Sequence, residues 1–187
     1  MVFPEFSFFF CIFLCLLLLT VPLPWVGAAI LAAAIHECAH IGAIYLLGGR
    51  VEGLSLKLRG AEIRMEALPP IREFLAAAAG PLASLLLGLL LRQFPRLALC
   101  GLVQGLFNLL PIYPMDGGRM TACILKGFLK ESTAGRVLNV LRILTLFFLA
   151  AASVLLKQPW GLILVISLIF PILQTKIPCK DRLFRVQ

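Results

Sequence analysis

Charge is scarce in this sequence, and acidic charge scarcest: 14% of its 187 residues are Asp, Glu, Lys or Arg, nine acidic against seventeen basic. Soluble domains average about 25% charged and roughly 45–50% apolar residues. Here 61% are hydrophobic and the mean hydropathy is +1.02, which excludes a soluble globular domain. There is no Pro/Gly/Ser-rich linker, no low-complexity tract and no internal repeat. The six cysteines, Cys11, Cys15, Cys38, Cys100, Cys123 and Cys179, include no Cys-x-x-Cys pair. Cys11 and Cys15 share a helix face, where disulfide geometry is hard to meet, and most of the six read as small apolar fillers. Histidine is scarce as well, with two in the whole chain, His36 and His40.

What is present is a series of long apolar runs. They predict an all-α polytopic membrane protein with six transmembrane helices, near residues 6–23, 26–47, 72–91, 97–112, 137–156 and 160–173. The first has no basic leader, so it reads as an uncleaved helix rather than a signal peptide. Between the second and third, Leu54, Leu56 and Leu58, then Ala61, Ile63 and Met65, alternate with polar residues. This predicts a β-hairpin over 51–66, turning at Arg59-Gly60, at the membrane surface. The bland reading makes it a connector; the functional one gives it an edge on which an extended substrate could pair.

The net charge of +8 follows the same layout. Arg50, Lys57, Arg59, Arg64 and Arg72 fall in one connection, Arg119, Lys126, Lys130 and Arg136 in another, and Lys176, Lys180, Arg182 and Arg185 after the last span. With six spans these lie on one side, so both termini are expected in the cytoplasm. The basic charge then faces anionic lipid headgroups, and nucleic acid is not an expected partner. The expected organisation is one integral membrane domain over 1–187, with core helices at 26–120.

Within the second run stands His36-Glu37-Cys38-Ala39-His40. On a helix of 3.6 residues per turn the two imidazoles lie on one face, one turn apart, and both can reach one metal ion, with Glu37 beside them as a general base. Such a motif also arises by chance in soluble helices. Here its neighbours are apolar all round, and an ionisable group inside a membrane span costs on the order of 2.5 kcal/mol or more unless paired or liganded. Cys38 sits at a variable position, its thiol expected off the histidine face.

A catalytic zinc takes three protein ligands and keeps a fourth position open. No third histidine exists, so a carboxylate is expected. Glu52, Glu62, Glu66 and Glu73 lie in the charged connection, and Glu5, Glu131 and Asp181 near ends or loops. Asp116 alone follows a helix broken by Pro111 and Pro114, with Gly117-Gly118 to let the backbone turn. By itself Asp-Gly reads as a turn; beside a two-ligand motif it reads as the missing ligand. Asn108, a buried amide just before the break, suits either a helix–helix hydrogen bond or a donor to substrate.

Taken together, His36-Glu37-Cys38-Ala39-His40, then Ala79-Gly80-Pro81 in a small-residue helix, then Asn108 through Pro111 to Asp116-Gly117 resemble the site-2 protease family of intramembrane zinc metalloproteases. The stretch from Phe107 to Arg119 is most similar to the sporulation branch that cleaves a membrane-associated sigma-factor precursor. The resemblance covers about residues 26 to 120. It implies Zn2+ held by His36, His40 and Asp116, Glu37 as base, Asn108 as a substrate-positioning residue, and a membrane protein as substrate. Many family members have asparagine where this chain has Ser84, so no role is carried to that position. Neither a PDZ insertion nor the C-terminal nucleotide-sensing module of the sporulation branch is expected. The rival from another class is a membrane protein that binds metal without hydrolysis, a transporter or an inactive relative that holds a partner. A transporter has no need of a glutamate between its ligands, and an inactive relative would be expected to have lost Glu37.

Overall fold

The computed structural model describes residues 5–6, 8–57, 60–113, 115–155 and 157. In chain order these form β1 (Glu5–Phe6), α1 (Phe8–Thr20), α2 (Leu23–Leu46), β2 (Val51–Lys57), β3 (Gly60–Met65), α3 (Pro70–Leu90), α4 (Pro95–Asn108), α5 (Asp116–Phe128) and α6 (Glu131–Leu155). The mostly helical membrane architecture expected from the sequence is what is found. Among the described residues, α2, α3 and α6 are long and apolar enough to cross a membrane. α1 and α4, expected as spans, are helices of 13 and 14 residues, and the run at 160–173 lies outside the described residues. The chain divides into two compact units, one through Asn108 and one from Leu109.

In the first unit α2 and α3 begin with proline just inside the helix, where a missing N–H costs nothing. α2 stops at Gly48, which takes φ +79°, a left-handed backbone that glycine adopts without strain. The Arg72 guanidinium donates to the freed Leu47 carbonyl at 3.1 Å. Along α2 the buried residues Ala32, His36, His40 and Ile44 recur every fourth position and form one stripe. α3 answers with Ala76, Ala77, Gly80, Pro81, Ser84, Leu87 and Gly88. Small side chains allow the close backbone approach that helix packing in lipid depends on. α4 adds its own small stripe, Ala98, Gly101 and Gly105, against α3: a Cβ at Gly101 would stand 2.8 Å from the Ser84 carbonyl oxygen. The opposite faces carry Ile30, Leu31, Leu82, Leu86, Leu89, Val103 and Leu106, all exposed. Apolar surface on that scale belongs against lipid.

The expected hairpin is present. β2 and β3 pair antiparallel from Val51↔Met65 to Lys57↔Gly60, with a bulge between Val51 and Gly53, while Arg59 of the expected turn lies outside the described residues. Ile63, Met65 and Leu68 pack with Ile44 and Ala76 and seat the hairpin on the end of α2 and the start of α3. One pairing was not expected: β1 lies parallel to β2, Glu5 opposite Ser55 and Phe6 opposite Leu56, giving a three-stranded sheet in the order β1-β2-β3. Since β1 precedes α1 and β2 follows α2, this contact brings the N-terminal strand and the basic hairpin to the same end of α2.

In the second unit, the basic connection expected after the Asp116 break is itself a helix, α5, followed by α6, which starts at Glu131 rather than 137. Two glycines directly after Asp116 hid the helix, because glycine is a poor helix former. Close packing explains them: a Cβ at Gly117 would land on the Leu109 carbonyl, and one at Gly118 on the backbone of Ile112 and Tyr113.

The small stripe of α4 generates a prediction. Gly101→Leu should destabilise the fold by about 1–3 kcal/mol through overpacking against α3, read as a lowered thermal unfolding midpoint in detergent. Val103→Ala, on the exposed face, should leave the midpoint unchanged.

Candidate metal centre

The two histidines lie in the later half of α2, with His40 six residues before the helix ends, about 9 Å along the axis. His36 is 2% exposed and His40 5%, so both rings are withdrawn from lipid and water. Their Nε2 atoms face one another at 3.2 Å, the rings nearly perpendicular with centroids 4.8 Å apart. Each ring is tied to α3 by its other nitrogen: His40 Nδ1 stands 2.8 Å from the Ala76 carbonyl oxygen and His36 Nδ1 2.9 Å from Ser84 Oγ. Ala76 is within reach because Gly80, one turn further on, has no side chain; a Cβ there would collide with the His40 imidazole.

The donor chemistry can be read from these partners. A carbonyl oxygen only accepts, so His40 Nδ1 carries a proton toward Ala76, and Nε2 is the nitrogen turned toward His36. A metal ligand held this way, by Nε2 with Nδ1–H on a carbonyl, has its tautomer and orientation fixed from behind.

Asp116 begins α5 and is 8% exposed. Asp116 belongs to the second unit, and as the third ligand expected from the sequence it would add a carboxylate to the two imidazoles. A tetrahedral zinc with bonds near 2.1 Å sets its ligands roughly 3.4 Å apart, close to the separation of the two imidazole nitrogens. Two imidazoles and one carboxylate are a donor set of the kind zinc takes at catalytic sites. The residues therefore fit the ion that the motif implies.

Glu37 follows His36 on α2 and is half-buried. Cys38 is exposed, off the histidine face as expected. Asn108 ends α4, and its amide donates to the Gln104 carbonyl at 3.1 Å, a bond inside its own helix rather than to a neighbouring one. Three contributors were not read from the sequence: Ser84, the Ala76 carbonyl and the gap at Gly80. Ser84 carried a usable signal, a hydroxyl one turn after Gly80 on the same face of an apolar helix.

An apolar helix that buries two facing histidines against its neighbour, with a glutamate next to the first, defines the class of membrane-embedded metallopeptidase-like proteins. The comparisons with known proteins agree. A model of the family described as Peptidase M50B-like matches residues 9–111, more than half of the chain, and that of Peptidase family M50 matches residues 90–152. The chain belongs to this peptidase family, the site-2 protease group, and is a multi-pass membrane protein. It is 31% identical over 118 residues to a zinc metalloprotease of Methanocaldococcus jannaschii, covering 54% of this chain and 35% of that protein. It is 34% identical over 120 residues to a putative zinc metalloprotease, Rip3, of Mycobacterium tuberculosis, covering 53% and 30% respectively. The chain thus matches about a third of the length of these curated relatives. In fold it is similar to the solved site-2 protease from Methanocaldococcus jannaschii, with a TM-score of 0.71, 20% identity, and coverage of 95% of this chain and 93% of the other. Zinc is the cofactor that the donor set and the relatives support.

Gly80→Ala should push the His40 ring off Ala76 and reduce bound zinc to well below the single ion expected of one such site. Elemental analysis of the purified, folded variant measures this, with Leu82→Ala on the exposed face expected to retain the wild-type content.

Proposed function

We propose that this chain is an intramembrane zinc metalloendopeptidase of site-2 type, hydrolysing a peptide bond of a membrane-embedded or membrane-associated protein. The observation that carries this is the placement of Glu37 directly after one of two buried histidines whose nitrogens face each other at 3.2 Å. His36, His40 and Asp116 are the proposed ligands. A zinc held there would polarise the scissile carbonyl and acidify the attacking water. Glu37 accepts the proton of that water as general base and then delivers it to the departing amine nitrogen as the C–N bond breaks. Asn108, at the C-terminal end of α4, is the proposed contact that orients the substrate backbone.

A substrate helix satisfies its backbone hydrogen bonds internally, so it must unwind locally before a carbonyl can be attacked. β3 is an edge strand of the sheet among the described residues, and its edge suits an unwound segment, which would gain main-chain hydrogen bonds by adding as a further strand. The β1–β2 pairing, which gathers the N-terminus and the basic hairpin at one end of α2, supports the orientation read from charge: that end in the cytoplasm, with the histidines nearer that face. The likeness of Phe107 to Arg119 to the sporulation branch favours a membrane-associated transcription-factor precursor as the substrate class.

A protein that only bound metal, for transport or to hold a partner, would be indifferent to Glu37. Co-expression with a tethered membrane substrate separates the readings. Glu37→Gln should lower cleavage by about 10²- to 10⁴-fold, the range for losing a general base, while zinc stays bound. Equal cleavage by wild type and Glu37→Gln would contradict the proposed mechanism, and zinc binding with no cleavage by the wild type would favour the non-hydrolytic reading.

A further inference from the structure

From residue 137 to the end of α6 at Leu155 the chain is apolar except at four positions, Asn139, Arg142, Thr145 and Ser153. A hydroxyl in an apolar helix is satisfied by bonding back to the carbonyl four residues earlier. Thr145 does so to Leu141 at 2.8 Å and Ser153 to Leu149 at 2.7 Å. The other two find no such outlet: Arg142 Nε and Asn139 Oδ1 are buried and make no hydrogen bond. Elsewhere a guanidinium is settled by a carbonyl or by exposure. Arg72 bonds the Leu47 carbonyl, Arg136 the Ser132 carbonyl, and Arg92 and Arg96 are exposed. Arg142 lies six residues past Arg136, about 9 Å further along the axis, inside a helix long and apolar enough to cross a membrane.

The pair does not stand on the side of α6 that meets lipid. Val140, Ile143, Leu144, Phe147 and Phe148 form the exposed row. Arg142 is on the opposite side, one turn after the buried Leu138 and in line with it, and Asn139, three residues before Arg142, neighbours it on the helix surface. Both are half-buried, withdrawn from lipid yet still reachable. A guanidinium is always charged, offers donors and no acceptor, and its fork matches the two oxygens of a carboxylate. The Asn139 amide, turned by half a rotation, presents its NH2 to the same group. This chain has no carboxylate to spare for them. Of its nine acidic residues only Glu37 and Asp116 stand in apolar surroundings, and both are assigned to the metal centre; the others lie near ends or in charged connections. A second copy of the chain has the same lack.

We propose that Asn139 and Arg142 form an intramembrane docking site for a membrane-spanning helix of another protein, one that carries a single Asp or Glu within its apolar run. That helix lies along the inner row of α6, and its carboxylate accepts from the Arg142 fork and the Asn139 amide. Ionisable groups inside a membrane are costly until they pair, so the site discriminates: a helix without a carboxylate leaves the guanidinium unpaired. The proposal is independent of the metal reading.

The test uses the full-length protein in vesicles of zwitterionic lipid and reads energy transfer to a synthetic Leu/Ala-rich helix of about 20 residues with one Glu near its centre. A twin peptide carries Gln instead. Wild type should bind the Glu peptide about tenfold more tightly than the Gln peptide, and Arg142→Gln should bind the two alike. Arg142→Glu should prefer a Lys peptide to the Glu peptide, which also shows that the altered protein is folded. Val140→Ala, on the exposed row, should keep the wild-type preference. Equal binding of the Glu and Gln peptides by wild type would overturn the proposal, as would a preference that survives in Arg142→Gln. So would a wild-type preference that disappears when phosphatidylglycerol replaces the zwitterionic lipid, which would assign the guanidinium to a lipid phosphate.

Discussion

The structure depends on holding two imidazole nitrogens 3.2 Å apart in the dry interior of a helix bundle. Two lone pairs at that distance repel unless a cation or a shared proton lies between them, and no bulk water is present to screen them. Every nearby feature of α3 answers this constraint. Ala76 offers a carbonyl to one ring, Ser84 a hydroxyl to the other, and Gly80 the space in which the first ring stands. The small residues around them let α3 come close enough to α2 for side-chain-to-backbone hydrogen bonds, and the stripe on α4 holds α3 in place from behind. Packing and ligand geometry are thus one problem with one solution.

The hairpin belongs to the same arrangement. Ile63, Met65 and Leu68 rest on Ile44, one turn beyond His40, and on Ala76, the residue whose carbonyl holds His40. The sheet is therefore seated on α2, which carries the histidine pair, and on α3, which holds it from behind. A strand added at the sheet would lie close to the chemistry, which is the physical reason to connect that edge with an unwound substrate. The pairing of β1 with β2 leaves β3 as the other edge strand.

Much of this was legible in the sequence because membrane burial makes polar residues expensive. His36, His40 and Asp116 stood out as ionisable groups in apolar surroundings, and the alternation from Leu54 to Met65 marked the hairpin. What escaped has physical causes. Ser84 is small and neutral, so its presence in an apolar helix raises no energetic alarm, and its partner lies 48 positions away in sequence. The role of Ala76 is played by its backbone, which no side-chain pattern records. α5 was hidden because Gly117 and Gly118 have poor helix propensity, overridden here by the close approach of the preceding backbone. The β1–β2 contact rests on two residues at the N-terminus, too short to leave a period.

The central claim is that His36, His40 and Asp116 hold one zinc ion, and its most direct test is X-ray absorption at the zinc edge of the purified full-length protein. The account predicts a first shell of nitrogen and oxygen only, near 2.0–2.1 Å, with outer-shell scattering from two imidazoles. A sulfur contribution near 2.3 Å, a single imidazole, or no stoichiometric zinc would contradict it.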